Sequence, residues 1–217
     1  MNKTCIIVSG GSVNDSFATK FIREKKAAYV IGVDSGLDFL HRNQISPTHI
    51  VGDFDSVQPE VIAQYKKEEN IPIYELHPVK DASDTEVALR LALEMGIKEL
   101  WILGATGSRL DHVMANMQIL KVALDAGVKA WIVDENNRIS LWDDEIRIHK
   151  KECFGTYFSL FPFGNEIQDI SIKGAKYPLS QYHMTNNESR CVSNEFCDEE
   201  VIITFSEGII ILIESRD

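Results

Sequence analysis

Residues 48–57 read THIVGDFDSV. A short apolar run beginning at Ile50 ends in two carboxylates, Asp53 and Asp55, on either side of one phenylalanine, and Pro59 follows close behind. An apolar run of this length, closed by glycine and acids, marks a strand buried on both faces, and the early proline suits the first turn of a helix. The same alternation runs outward in both directions. TCIIVSG, AAYVIGVD, IPIYELH, ELWILGA and KAWIVDE have the strand character, and SFATKFIREKK, SGLDFLHRN, PEVIAQYKKEE, SDTEVALRLALEMG and RLDHVMANMQILKVALDAG lie between them with helical periodicity. Strands of continuous apolar character separated by helices predict a mostly parallel sheet.

Residues 1–136 therefore form an α/β domain with a Rossmann-like, mostly parallel sheet. Beyond Asn136 the helical pattern stops, and RISLWD, EIRIHK, TYFSLFPF, IQDISIKG, VIITFSEG and IIILIES read as short strands between Gly, Pro, Asn and Asp. Residues 137–217 are expected to be a smaller all-β domain, a β-sandwich. Its runs FSLFPF and IIILI carry more apolar length than so small a domain readily hides, which favours association with a second subunit.

Composition limits the partners. A chain of 217 residues, 44% hydrophobic and 25% charged, buries a sizeable core. Its net charge of -11 argues against nucleic acid held by clustered Lys and Arg. The apolar run Cys5–Val8 is too short for a signal segment, and no other run spans a bilayer, so a cytoplasmic protein with no membrane partner is expected. Cys5, Cys153, Cys191 and Cys197 lack metal-site spacing and read as buried or incidental thiols.

In an open parallel sheet, ligands gather where the loops leave the carboxyl ends of the strands. Four successive strands deliver VDSG (33–36), GDFDS (52–56), HPVKDASDTE (77–86) and LGATGSRLDH (103–112) to that edge, while EEN, EMG and DAG turn at the other. GDFDS has three open readings: a metal site, a nucleophile, or a helix cap supplied by Asp55 or Ser56. In an extended segment Asp53 and Asp55 point the same way, roughly 6–7 Å apart at Cα, and converge on one cation. With Asp84 they make an all-oxygen set suited to magnesium, although Ser83 and Glu86 also form a capping box. GATGSRLDH offers close backbone approach to phosphate and Arg109 for bidentate pairing, without the ending of a Walker A loop. His112 reads as a packing or capping histidine.

The ordered series VDSG, GDFDSV, DASDTEVAL, GATGSRLDHVMAN, GAKYPLS and CVSNEF resembles the thiamine pyrophosphokinases, from about Asp34 to Phe196. The resemblance implies an N-terminal ATP- and magnesium-binding catalytic domain, a C-terminal thiamine-binding and dimerisation domain, and a homodimer. It also implies transfer of pyrophosphate from ATP to the thiamine hydroxyl, with release of AMP. Asp53, Asp55 and Asp84 then match the magnesium-binding acids. Asp34, Ser35, Thr106, Gly107, Arg109 and Asp111 fall in the nucleotide-binding motifs. Ser193 and Asn194 match a pair near the thiamine pyrimidine, and Phe196 stands as an aromatic wall. Asp81, in the loop with Lys80, joins Asp84 as a candidate general base.

The chemistry fits this assignment. Attack of an alcohol on ATP needs positioning and dispersal of phosphate charge over cations and Arg109, with little covalent work for the protein. Two alternatives come from other classes. IVGDFDSV also resembles the D-x-D motif of haloacid-dehalogenase-type phosphatases, with Asp53 as nucleophile, but the later acidic pair is absent and the motif follows the third strand. A non-catalytic nucleotide or thiamine sensor could use the same scaffold.

Overall fold

The computed structural model describes residues 3–68, 70–77 and 81–217. Two compact units divide the chain, Met1–Glu135 and Asn136–Asp217. In the first, strands β1 (Thr4–Val8), β2 (Tyr29–Val33), β3 (His49–Gly52), β4 (Ile73–Glu75), β5 (Glu99–Leu103) and β6 (Lys129–Val133) alternate with helices α1 (Asp15–Lys25), α2 (Gly36–Arg42), α3 (Pro59–Tyr65), α4 (Asp84–Glu94) and α5 (Leu110–Asp125). The strands lie in the order β4-β3-β2-β1-β5-β6, and each neighbouring pair is parallel.

Cys5, Ile6, Ile7 and Val8 of β1 are fully buried, as a central strand covered on both faces requires. Right-handed crossovers place α1–α3 on one face and α4–α5 on the other, because the connections step one way from β1 to β4 and then the other way from β4 to β6. On adjacent β5 and β6, Trp101 and Trp131 are register partners with stacked rings 4.4 Å apart. Lys25 of α1 sits 3.6 Å above the Trp101 ring, a cation–π contact that closes this part of the sheet.

The cap expected from Asp55 or Ser56 is not the one used. Gln58 is the N-cap of α3 and makes no side-chain capping bond; Pro59 opens the helix, and the Gln58 amide donates to Asp38 Oδ1 at 3.2 Å. Proline at the first position lacks the N–H that a cap would satisfy, so the helix start needs less from its flank.

The second unit contains β7 (Asn137–Trp142), β8 (Ile146–His149), a 3-10 turn (Lys150–Glu152), β9 (Tyr157–Pro162), β10 (Glu166–Lys173), β11 (Leu179–Thr185), β12 (Glu200–Thr204) and β13 (Ile210–Ser215). Strands β7-β13-β9 pair antiparallel, and so do β11-β10-β12-β8. The two sets share one core, in which Phe158, Leu160, Ile210 and Leu212 meet Ile148, Ile170, Val201 and Ile203. That is sandwich packing. Strand β11 escaped the sequence pattern because LSQYHMT buries only Met184 and takes its order from the β10 backbone, across two register shifts. Inside the barrier of apolar strands, Arg138 and Glu214 face each other across β7 and β13 as a bidentate pair at 2.6 and 2.5 Å, with Glu214 only 3% exposed. The four cysteines are free thiols, and burial pushes Cys5 up to about 12 and Cys191 up to about 11. Among the described residues, no helix is long and apolar enough to cross a membrane.

Arg42 at the end of α2 donates twice to Asp15 at the start of α1, at 2.7 and 2.6 Å, and Asn43 adds a third bond at 2.9 Å. The Arg42 and Asn43 hydrogen bonds hold the Asp15 carboxyl down to about 2. A lowered folded value means the contribution is complete above the ordinary value of 3.8 and disappears as the pH falls through about 2. Both groups are substantially exposed, so the contribution stays below about 1 kcal/mol. Urea unfolding of Asp15→Asn beside the parent chain should show a constant deficit from pH 5 to 8 that closes toward pH 2; a deficit independent of pH would assign it to packing instead.

Candidate active site

A cleft of about 660 Å³ opens at the carboxyl end of the parallel sheet, lined by the loops after β1, β2, β3 and β5 and by the start of α4. β1 lies between β2 and β5, from which the chain departs in opposite directions. Such a switch in strand order leaves a crevice between diverging loops, and the cleft occupies it.

Two of these loops continue the sheet past its last residues. Ser9 donates to the Leu103 carbonyl at 2.8 Å, Gly11 to Gly104 at 2.8 Å and Ser12 to Thr106 at 2.9 Å. Gly104 is at φ +66, and a Cβ there would stand 2.2 Å from the Ser9 carbonyl oxygen, so this approach admits glycine alone. Ser35 Oγ donates to the Gly10 carbonyl at 3.1 Å and joins the β2 loop to the same floor. Asn116, buried in α5, donates to the Ala105 carbonyl at 2.8 Å. Sequence reasoning passed over Ser9–Ser12; two glycines directly after a buried strand were the available signal.

The acidic loop differs from expectation in its backbone. Phe54 adopts φ +64, and the Asp55 amide donates to Asp53 Oδ1 at 3.3 Å. Asp53 and Asp55 thus reach the cleft through an Asx turn and not through the alternation of an extended segment. Phe54 explains why the turn holds. Its ring is 9% exposed and packs with Leu37, Ile50, Val57, Val61 and Tyr65. A left-handed backbone at a bulky residue costs about 1–2 kcal/mol, while burying a phenylalanine ring stabilises by about 1.5–3 kcal/mol. The buried ring anchors the turn and directs both carboxylates outward.

Asp34 also adopts a left-handed backbone, φ +45, and lines the cleft with Ser35. Its carboxylate stands where a Cβ on Gly52 would be, 2.1 Å away, so the β2 and β3 loops are in direct contact. Asp34 and Asp84 each have one carboxylate oxygen sealed from solvent. Ser83 caps α4 by accepting from the Glu86 amide at 3.2 Å, while the Glu86 carboxylate accepts from Arg90 at 2.8 Å. Thr106, Gly107 and Arg109 line the cleft. Arg109 is exposed and donates to Asp111 Oδ2 at 2.7 Å; with the His112 amide it holds the Asp111 carboxyl down to about 2. His112, read from sequence as a packing or capping histidine, is exposed and lines the cleft, and the N-cap of α5 is Arg109. Asp81 is exposed and is not among the lining residues. Lys80 lies outside the described residues. No three His, Cys, Asp or Glu side chains among the described residues gather closely enough to enclose an ion unaided.

In the second unit, GAKYPLS and CVSNEF lie side by side. Ala175 bridges Phe196, and Lys176 donates to the Glu195 carbonyl at 2.9 Å. Asn194, 3% exposed, accepts from the Tyr177 and Glu195 amides at 2.9 and 3.0 Å and donates to the Tyr177 carbonyl at 2.9 Å. Its amide group braces the two segments. Ser193 is exposed at φ +55, and Phe196 packs edge-on to Phe158 at 5.7 Å.

A doubly wound α/β unit with a carboxylate-rich crevice, followed by an antiparallel β unit, defines a two-module class. The family model "Thiamin pyrophosphokinase, catalytic domain" matches residues 23–132, and "Thiamin pyrophosphokinase, vitamin B1 binding domain" matches residues 144–210. The chain belongs to the thiamin pyrophosphokinase family. It is 33% identical over 217 residues to the thiamine pyrophosphokinase of Bacillus subtilis, covering 99% of this chain and 100% of that protein. Its structure is similar to the crystal structure of the Bacillus subtilis enzyme, with a TM-score of 0.88 and 32% identity over 99% of this chain and 100% of that one. For the thiamin pyrophosphokinase of Geobacillus thermodenitrificans the TM-score is 0.84, with 28% identity over 99% and 98% of the two chains. The phosphatase and sensor alternatives gain nothing from these matches.

Asn194→Ala would leave part-buried backbone groups of Tyr177 and Glu195 without their partner. Each such group costs about 1–3 kcal/mol, so the variant should unfold at clearly lower denaturant than the parent. An unchanged midpoint would mean that the bracket contributes nothing to the fold.

Proposed function

We propose that this protein transfers the pyrophosphoryl group of ATP to the hydroxyl of thiamine, giving thiamine diphosphate and AMP. The observation that carries the proposal is the convergence on one cleft of Asp53 and Asp55 from the β3 loop, Asp84 from α4 and Arg109 from the β5 loop. Carboxylates on separate loops suit a hard cation that takes few protein ligands and completes its shell with phosphate oxygens and water. One oxygen of Asp84 is already withdrawn from solvent, so its desolvation cost is met on folding and not on binding. Asp53, Asp55 and Asp84 would hold magnesium, which when bound supplies charge stabilisation for the transferred phosphates.

The remaining steps fall to the chain itself. Asp34, Ser35, Thr106 and Gly107 would seat the nucleotide along the loops after β2 and β5. Arg109, oriented by Asp111, pairs with phosphate oxygens in bidentate fashion. The thiamine oxygen attacks the β-phosphorus as the bond to the α-phosphate bridging oxygen breaks, and AMP leaves with that oxygen. The hydroxyl proton passes to a carboxylate. A metal-bound acid is a poor base, and Asp81, exposed just ahead of α4, is the candidate for this step. Thiamine recognition belongs to the second unit, where Ser193 presents an exposed hydroxyl, Asn194 holds the segment and Phe196 adds aromatic surface. A homodimer with the second unit as its dimerisation domain forms part of the proposal, supported by the apolar surface of Tyr177 and Val192, 57% and 42% exposed on that unit.

Incubation with ATP, magnesium and thiamine should yield AMP and thiamine diphosphate in equal amounts. Orthophosphate released without thiamine would favour a phosphatase, and binding without turnover a sensor. Asp53→Asn and Asp55→Asn should each lower turnover by about a hundredfold or more while unfolding cooperatively. Near-parent rates at saturating magnesium would remove that residue from the metal site.

A further inference from the structure

Ser9 and Thr85 are 76 positions apart, yet their hydroxyl oxygens lie 2.9 Å from each other. Both residues line the cleft and both are nearly sealed from solvent, 3% and 8% exposed. Ser9 lies outside the motifs that carry the family likeness, and Thr85 stands beside Asp84 within one of them, DASDTEVAL. Buried hydroxyls paired at this distance make a directional constraint, and what this one constrains is the start of α4.

Helix α4 begins at Asp84. The Ser83 cap bond to the Glu86 amide is internal to the helix. Apolar anchoring begins only a turn later, at Ala88, Leu89 and Ala92. Thr85 ties the first turn to the loop after β1. Its partner is well fixed, because the Ser9 amide donates to the Leu103 carbonyl at 2.8 Å and so is referenced to both β1 and β5. Asp84 directly precedes Thr85, so whatever sets Thr85 also sets the carboxylate beside it.

We propose that Ser9 and Thr85 act together as a positioning pair that fixes Asp84 at the floor of the cleft and sets its affinity for a metal–polyphosphate ligand. The inference rests on the functional reading above. Groups that orient a metal-binding side chain from behind typically govern metal affinity by about 10–100-fold when removed, and the lower end is expected for a neutral hydroxyl pair.

Titration calorimetry of the full chain with α,β-methylene-ATP, with and without Mn2+, tests this. Ser9→Ala and Thr85→Val should each weaken Mn2+-nucleotide binding about tenfold, and the double variant should be no weaker than either alone, since one interaction is lost in all three. Thr85→Ser, which keeps the hydroxyl, should bind as the parent does. Nucleotide binding without Mn2+ should be equal across the set. Parent-like Mn2+-nucleotide affinity in the single variants, losses that multiply in the double variant, or an equal fall without Mn2+ would each overturn the pairing. A parent protein that binds no Mn2+-nucleotide would overturn both the pairing and the functional reading.

Discussion

The cleft depends on one constraint: β1 is hydrogen-bonded in parallel to both β2 and β5, and the chain leaves those neighbours in opposite directions. A strand so placed has both ladders occupied and both faces covered, so Thr4–Val8 must be buried from end to end. Past Val8 the loops that follow β1 and β5 remain joined through Ser9, Gly11 and Ser12. That joined pair of loops is the floor on which the acids of β3 and α4 converge. The burial that stabilises the unit and the crevice that equips it have the same origin.

Two of the left-handed backbones outside glycine, at Asp34 and Phe54, lie in the loops that form that crevice, while those at Lys26, Gln44, Asp169, Gln181 and Ser193 lie elsewhere. At Phe54 the opposing term is visible in the packing, since the ring that makes the backbone costly also buries itself in an apolar cluster. Asp34 has its carboxylate against Gly52, so its conformation and the opening of the acidic loop are coupled. Asn194 works differently. Its buried amide braces two segments, accepting from the Tyr177 and Glu195 amides and donating to the Tyr177 carbonyl.

The parallel sheet is legible in the sequence because its strands are uniformly apolar and its helices periodic, and the loops at its carboxyl edge group together on the same grounds. What escaped were features that leave weak traces in composition. LSQYHMT is a strand by virtue of its neighbour, with one buried side chain among its residues. The Asx turn at Asp53–Asp55 needs φ +64 at a phenylalanine, which no propensity rule favours. The α3 cap was sought among acids and serines, and proline at the first position made one unnecessary. Ser9 and Thr85 could not be paired from sequence at all, because ordinary hydroxyls carry no long-range signal.

The central claim is that five stretches, after β1, β2, β3 and β5 and at the start of α4, surround one metal–polyphosphate site. Paramagnetic broadening of backbone amide resonances by Mn2+ bound with α,β-methylene-ATP reports proximity directly. Broadening centred on residues 9–12, 34–36, 53–56, 83–86 and 104–109, absent without nucleotide, is the predicted result. Broadening confined to surface acids such as Glu24 and Glu60, or unchanged by nucleotide, would contradict it.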